Sequence, residues 1–95
     1  LKARLAEAYG SRLAGLRLYG SYARGEALAD SDIDLLVLLH GDVDRRRETD
    51  RLVDLSYDLE LETGAVFELL PRSVADFDAA ASPLLRSVRR EGVPA

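Results

Sequence analysis

Gly20-Ser21-Tyr22-Ala23-Arg24-Gly25-Glu26-Ala27-Leu28-Ala29-Asp30-Ser31-Asp32-Ile33-Asp34-Leu35-Leu36-Val37 is the stretch on which the reading of this 95-residue chain turns. Its second half continues to Leu39 and alternates. Ile33, Leu35, Val37 and Leu39 fall on one side of an extended chain, and Asp32, Asp34, Leu36 and Leu38 on the other. Because its later residues are apolar on both sides, Asp32–Leu39 reads as a covered, central strand. Upstream, Leu13–Tyr19 is a second alternating run, with Leu16 and Leu18 on one face and Arg17 and Tyr19 on the other. Gly20-Ser21 punctuates it, Tyr22–Ala29 has room for one or two helical turns, and Asp30-Ser31-Asp32 is rich in turn and cap formers.

Working outward, Leu1–Tyr9 predicts a short helix with Leu1, Leu5 and Ala8 on one stripe, ended by Gly10. His40-Gly41-Asp42 reads as a loop and Asp44–Thr63 as the longest helix. Leu52, Leu55 and Leu59 supply its apolar stripe, Arg45, Arg46, Arg47 and Arg51 its polar part, and Thr63-Gly64 its stop. Ala65–Leu70 is a third strand closed by Pro71, and Ser73-x-x-Asp76 has the form of a capping box. Ser82-Pro83 opens a last helix carrying Leu84, Leu85 and Val88 up to Gly92. The order α-β-α-β-α-β-α predicts an α/β (α+β) domain over residues 1–95, a short mixed sheet with helices packed on it.

Composition narrows the chemistry. At 47% hydrophobic and 32% charged, the chain is that of a folded globular protein. The longest apolar run is Leu35–Leu39, too short to span a bilayer. No secretory signal is recognisable, so a cytoplasmic location is expected, although position 1 is Leu rather than Met. With no cysteine, thiolate zinc sites and cysteine catalysis are excluded, and the single histidine, His40, disfavours a His-based metal site or a Ser-His-Asp triad without a partner chain. A net charge of −4 disfavours broad attraction to nucleic acid or anionic lipid.

Chemistry must therefore rest on carboxylates, hydroxyls, arginines and backbone. Asp32 and Asp34, two apart on a strand, project from one face with α-carbons roughly 6–7 Å apart. Both can converge on one hard cation or an ion pair, and oxygen-only ligands select Mg²⁺ or Mn²⁺. A strand running through Gly20-Ser21 into a helical turn aims backbone amides and a hydroxyl at one point, a cradle for phosphate. Arg24, one turn on, is placed to reach the same anion. A phosphate cradle leading into an acid pair implies phosphoryl or nucleotidyl transfer.

Gly20-Ser21, ten intervening residues, then Asp32-Ile33-Asp34 resembles the signature of the DNA polymerase β-like nucleotidyltransferases. The wider string from Gly20 to Val37, with the closing segment Arg90–Pro94, is similar to the minimal nucleotidyltransferases, the MNT proteins encoded beside a HEPN-domain partner. The resemblance implies a nucleotidyltransferase-type fold. It implies ATP as substrate, Gly20 and Ser21 on the triphosphate, and two Mg²⁺ ions on Asp32 and Asp34; Arg24 and Ser31 are further nucleotide-contact candidates by their position, with Ser31 also readable as a turn residue. It implies a third carboxylate on the strand after the long helix, which by position is Glu68; Asp58 and Glu60 are alternatives that fall on the helix. It further implies transfer of AMP to a tyrosine hydroxyl of a HEPN ribonuclease toxin, the role of a type VII antitoxin working in a hetero-oligomer with that partner. Two other readings stay open: a binding module that neutralises the partner by occlusion, and an antibiotic-type nucleotidyltransferase with a small-molecule acceptor. The chain is short for an acceptor pocket of its own, which favours a protein acceptor.

Each residue also has a plainer reading. Asp32 and Asp34 can cap a strand start, Gly20-Ser21 can be an ordinary turn, and Arg24 can pair with Glu26. Glu68 can sit solvated on an edge strand, Arg45-Arg46-Arg47 can be a solvated helix face, and the tyrosines can be core or rim aromatics.

Overall fold

The computed structural model describes residues 1–26 and 32–95. Helix α1 (Lys2–Tyr9) passes through a 3₁₀ turn into β1 (Leu13–Tyr19), which feeds the one-turn helix α2 (Gly20–Ala23). Then come β2 (Ile33–Leu39), α3 (Arg45–Thr63), β3 (Phe67–Ser73), α4 (Val74–Asp78), α5 (Pro83–Glu91) and β4 (Val93–Pro94). The strands form a mixed sheet in the order β3-β2-β1-β4. β1 runs antiparallel to β2 and β4, while β2 and β3 are parallel. This is the α/β architecture with a short mixed sheet that the pattern of strands and helices predicts.

Alternation along β2 divides the core. Leu35, Val37 and Leu39 join Leu16 and Leu69 against Leu5 and Tyr9 of α1 and Leu52 and Leu59 of α3. Leu36 and Leu38 turn to the opposite face and pack on Phe77, Leu85 and Val88 of α4 and α5. β2 is thus buried on both sides, and all five residues Leu35–Leu39 lie in the core.

The helix ends follow the capping signals. Asp44 caps α3, its Oδ1 accepting from the Arg47 N–H at 3.2 Å, so the helix proper begins one residue later than Asp44. Gly64 ends it in the left-handed conformation, at φ 77°. Ser73 and Ser82 cap α4 and α5 through their Oγ atoms.

Four expectations need correction. The turn after β1 starts at Gly20 rather than Tyr22. β2 starts at Ile33, leaving Asp32 just ahead of the ladder. β3 begins at Phe67 and runs through Pro71 to Ser73 instead of stopping before the proline. The Ile33 N–H donates to the Val66 carbonyl at 2.9 Å, a register that turns the amide position of residue 71 toward the open edge. A proline there removes no ladder bond, and its carbonyl accepts from Arg72 Nη1 at 2.7 Å. Lastly, β4 had no periodic signal because it is two residues long. It pairs Val93 with Leu18 and Pro94 with Arg17, and the Ala95 N–H donates to the Leu16 carbonyl at 3.1 Å.

Candidate active site

Register places the chemistry. Tyr19 at the end of β1 lies across from Asp34, and Asp34 lies beside Glu68 on β3. Side chains in such a row share one face, so a phenol and two carboxyls stand side by side on three adjacent strands. This is the face that α4 and α5 cover further along the strands.

The Asp34 and Glu68 carboxyls are within hydrogen-bonding reach of each other. Partial desolvation on the sheet, the contact with Asp34, and the charges of Asp34 and then Asp32 hold Glu68 above the usual carboxylate range. Asp32 is therefore close enough to act through its charge, although it is exposed and sits outside the strand. Among the described residues no three acids stand ready-made as ligands of a single ion. The structure brings Asp34 and Glu68 into contact and leaves Asp32 at the rim. Asp58 and Glu62 bind Arg4 of α1 across α3, a different surface, and Glu60 is an exposed residue of the same helix.

Gly20 meets this acid pair from the other side. Its φ is +71°, a conformation that glycine adopts without strain. A β-carbon there would collide with Asp34 Oδ2 and stand 3.2 Å from its Cγ. The turn between β1 and α2 is thus held against the carboxylate of β2, and a β-carbon there fits only if that carboxylate moves aside. Ser21 follows in α2, where its carbonyl accepts from the Glu26 N–H at 2.9 Å. Arg24 takes the ion-pair alternative, with Nε 3.1 Å from Glu26 Oε2 and Nη1 4.0 Å from Glu91. Ser31 lies outside the described residues.

Sequence reasoning passed over Tyr19. Burial first, then the charges of Asp34 and Glu68, push its phenol up to about 12, with Arg72 opposing. The alternation in β1 gave its face, but only strand pairing reveals its neighbours. The Arg45-Arg46-Arg47 run is exposed, as a solvated helix face should be. Tyr9 is a core aromatic, whereas Tyr57 is 63% exposed.

Residues 1–92 match the family model described as "Nucleotidyltransferase domain". The chain is 40% identical over 65 residues, 68% of its length, to a Methanocaldococcus jannaschii protein named "Putative protein adenylyltransferase MJ0604". The match spans 59% of that relative. Among solved structures, it is similar to one described as a toxin-antitoxin with AMP-PNP, at a TM-score of 0.68 and 22% identity over 98% of this chain and 68% of the other. It is also similar to a Sulfolobus solfataricus protein described as a "putative nucleotidyltransferase", at 0.60 and 20% identity over 98% and 70% of the two chains. At those identities, the structural likeness speaks for the fold.

Proposed function

Because this chain belongs to the nucleotidyltransferase domain family, we propose that it transfers AMP from ATP to a hydroxyl of another protein. The observation that carries this reading is the contact between the Gly20 turn and Asp34, with Glu68 beside it. That contact places a backbone amide turn and a cluster of carboxylates on one spot. A triphosphate needs the first, and the cations that accompany it need the second.

The donor set fits Mg²⁺. It is all oxygen and concentrates negative charge; burial first, and then the neighbouring acids, lift Glu68, and a bound cation would oppose the acids' part. Asp32, Asp34 and Glu68 are the residues that would hold two ions. When bound, the ions would supply charge neutralisation for the triphosphate and a lowered pKa for the acceptor hydroxyl. Gly20 and Ser21 would seat the terminal phosphates through their amides and the Ser21 hydroxyl, and Ser31 would add a contact. Arg24 would reach the phosphates only by leaving Glu26, an exposed pair that costs little to break. A carboxylate of the cluster would take the proton from the acceptor oxygen. That oxygen forms the bond to the α-phosphorus as the bond to pyrophosphate breaks.

The adenylyltransferase name of one relative and the toxin-antitoxin description of one structural neighbour support a protein acceptor and partner. A tyrosine of a HEPN ribonuclease toxin fits both descriptions, with this chain as the antitoxin in a cytoplasmic complex. No helix among the described residues is long and apolar enough to cross a membrane.

The test is incubation with labelled ATP, Mg²⁺ and the HEPN protein, with and without Asp32→Ala/Asp34→Ala. Label on a partner tyrosine, lost in the double variant, is the expected result. A complex that forms and neutralises the partner without label would replace transfer by occlusion. Label on an antibiotic instead would move the acceptor to a small molecule. Melting curves give a second readout: Mg²⁺ should raise the Tm of the wild type and not that of the double variant.

A further inference from the structure

Helix α3 turns its back on the core in an unusual way. With 3.6 residues per turn, Glu48, Leu52, Leu55 and Leu59 point to the sheet, and Arg46, Asp50, Val53, Tyr57 and Leu61 crown the opposite side. Val53, Tyr57 and Leu61 are spaced by four along that crest, 46%, 63% and 86% exposed. An aliphatic–aromatic–aliphatic stripe on the outermost line of a surface helix does nothing for the monomer's core.

Its border is acidic. Asp54 flanks the stripe on one side, Glu60 on the other, and Asp50 precedes it. Among the described residues no ion pair engages these three, whereas Asp58 and Glu62, further round, are held by Arg4. Of these three, Glu60 also stands near the C-terminal end of the helix, where the dipole disfavours an acid. The charge pattern therefore does not serve the helix itself. A second copy of the chain is a poor occupant. Antiparallel pairing about Tyr57 sets Val53 on Leu61 but brings the flank bearing Asp54 and Asp58 against the same flank of the copy, like against like.

We propose that the α3 crest Val53-Tyr57-Leu61 is a docking surface for an amphipathic helical segment of a different protein, whose apolar stripe is flanked by lysine or arginine. Apolar side chains would seat between Val53, Tyr57 and Leu61, and the basic flanks would meet Asp50, Asp54 and Glu60. This surface lies across the sheet from the face bearing Asp34 and Glu68, and its occupancy is independent of the transfer reaction.

The probes are two synthetic helical peptides with the same leucine face, one flanked by lysines and one by glutamates. Binding is followed by fluorescence anisotropy. The lysine peptide should bind the wild type, weaken as salt rises, and weaken at least tenfold with Tyr57→Ser/Leu61→Ser, whose net charge is unchanged. Asp54→Asn/Glu60→Gln should weaken it comparably, and the glutamate peptide should bind at least tenfold less tightly. Circular dichroism checks that each variant keeps its helices. Equal binding by the serine variant, equal binding of both peptides, or no binding of the lysine peptide overturns the proposal. Sedimentation showing a dimer that Tyr57→Ser/Leu61→Ser dissolves would overturn it in favour of a second copy.

Discussion

Gly20→Ala and Gly64→Ala are the same substitution at nearly the same φ, +71° and +77°, in different surroundings. Each forces an L-residue into the left-handed region, at a cost of about 1–2 kcal/mol. For a domain of this size that lowers the Tm by about 4–8 °C per kcal/mol. Space distinguishes them. A β-carbon at Gly64 meets nothing within 4 Å, whereas one at Gly20 overlaps Asp34 Oδ2. The carboxylate is the free end of a side chain, so it can swing aside with little further loss of stability. It has to move by about 1 Å, and misplacement on that scale costs on the order of a hundredfold in rate. The two variants should therefore unfold at similar urea concentrations. In the proposed AMP transfer, Gly64→Ala should keep the wild-type rate, and Gly20→Ala should lose about two orders of magnitude. If Gly20→Ala transfers AMP within threefold of wild type under conditions where both are folded, the turn's approach to Asp34 is not what makes the site.

Three further outcomes follow from the same structure. Asp34→Asn removes the charge beside Glu68, so it should abolish transfer while stabilising the fold by a few tenths to about 1 kcal/mol, screened by solvent; a loss of stability in urea unfolding would contradict this. Arg12 Nη1 lies 2.9 Å from the buried carboxylate of Glu48, with Arg51 4.0 Å away as a weaker partner. Arg12→Ala should cost about 2–3 kcal/mol, below the range for a fully buried pair because Arg12 is itself half-exposed, and Arg12→Ala/Glu48→Gln should recover part of it. Tyr19, raised to about 12, binds its proton more tightly folded than unfolded. Its contribution is complete below about pH 10 and is lost as pH rises toward 12. Urea midpoints should fall over that window, less steeply in Tyr19→Phe, and ultraviolet titration of the variant should lose one late phenolate, while Tyr9, which burial also raises, still titrates late.

Elements carried by periodicity were legible without coordinates. β1 and β2, the α3 stripe and the caps at Ser73 and Ser82 each follow from side-chain alternation or from a hydrogen bond within a few residues. What the sequence concealed depends on pairing between distant strands. Tyr19 and Glu68 acquire their relation to Asp34 only through the β1–β2 and β2–β3 registers. β4 is created by its partner, not by its own two residues. Pro71 reads as a stop unless one knows that β3 lies at an edge with that amide facing outward. The crest of α3 was visible as letters, but its meaning required knowing which side of the helix faces the sheet.

Each described edge of the sheet carries an obstacle to a further strand. At one, β3 presents Pro71, without an amide hydrogen, and the Arg72 guanidinium already holds the carbonyl that a newcomer would need. At the other, the two residues of β4 cover the Arg17–Leu18 part of β1, and Pro94 offers no amide hydrogen. Among the described residues these edge positions are ill-suited to backbone-to-backbone strand addition, which reads little sequence. Contacts made there through side chains would carry more specificity.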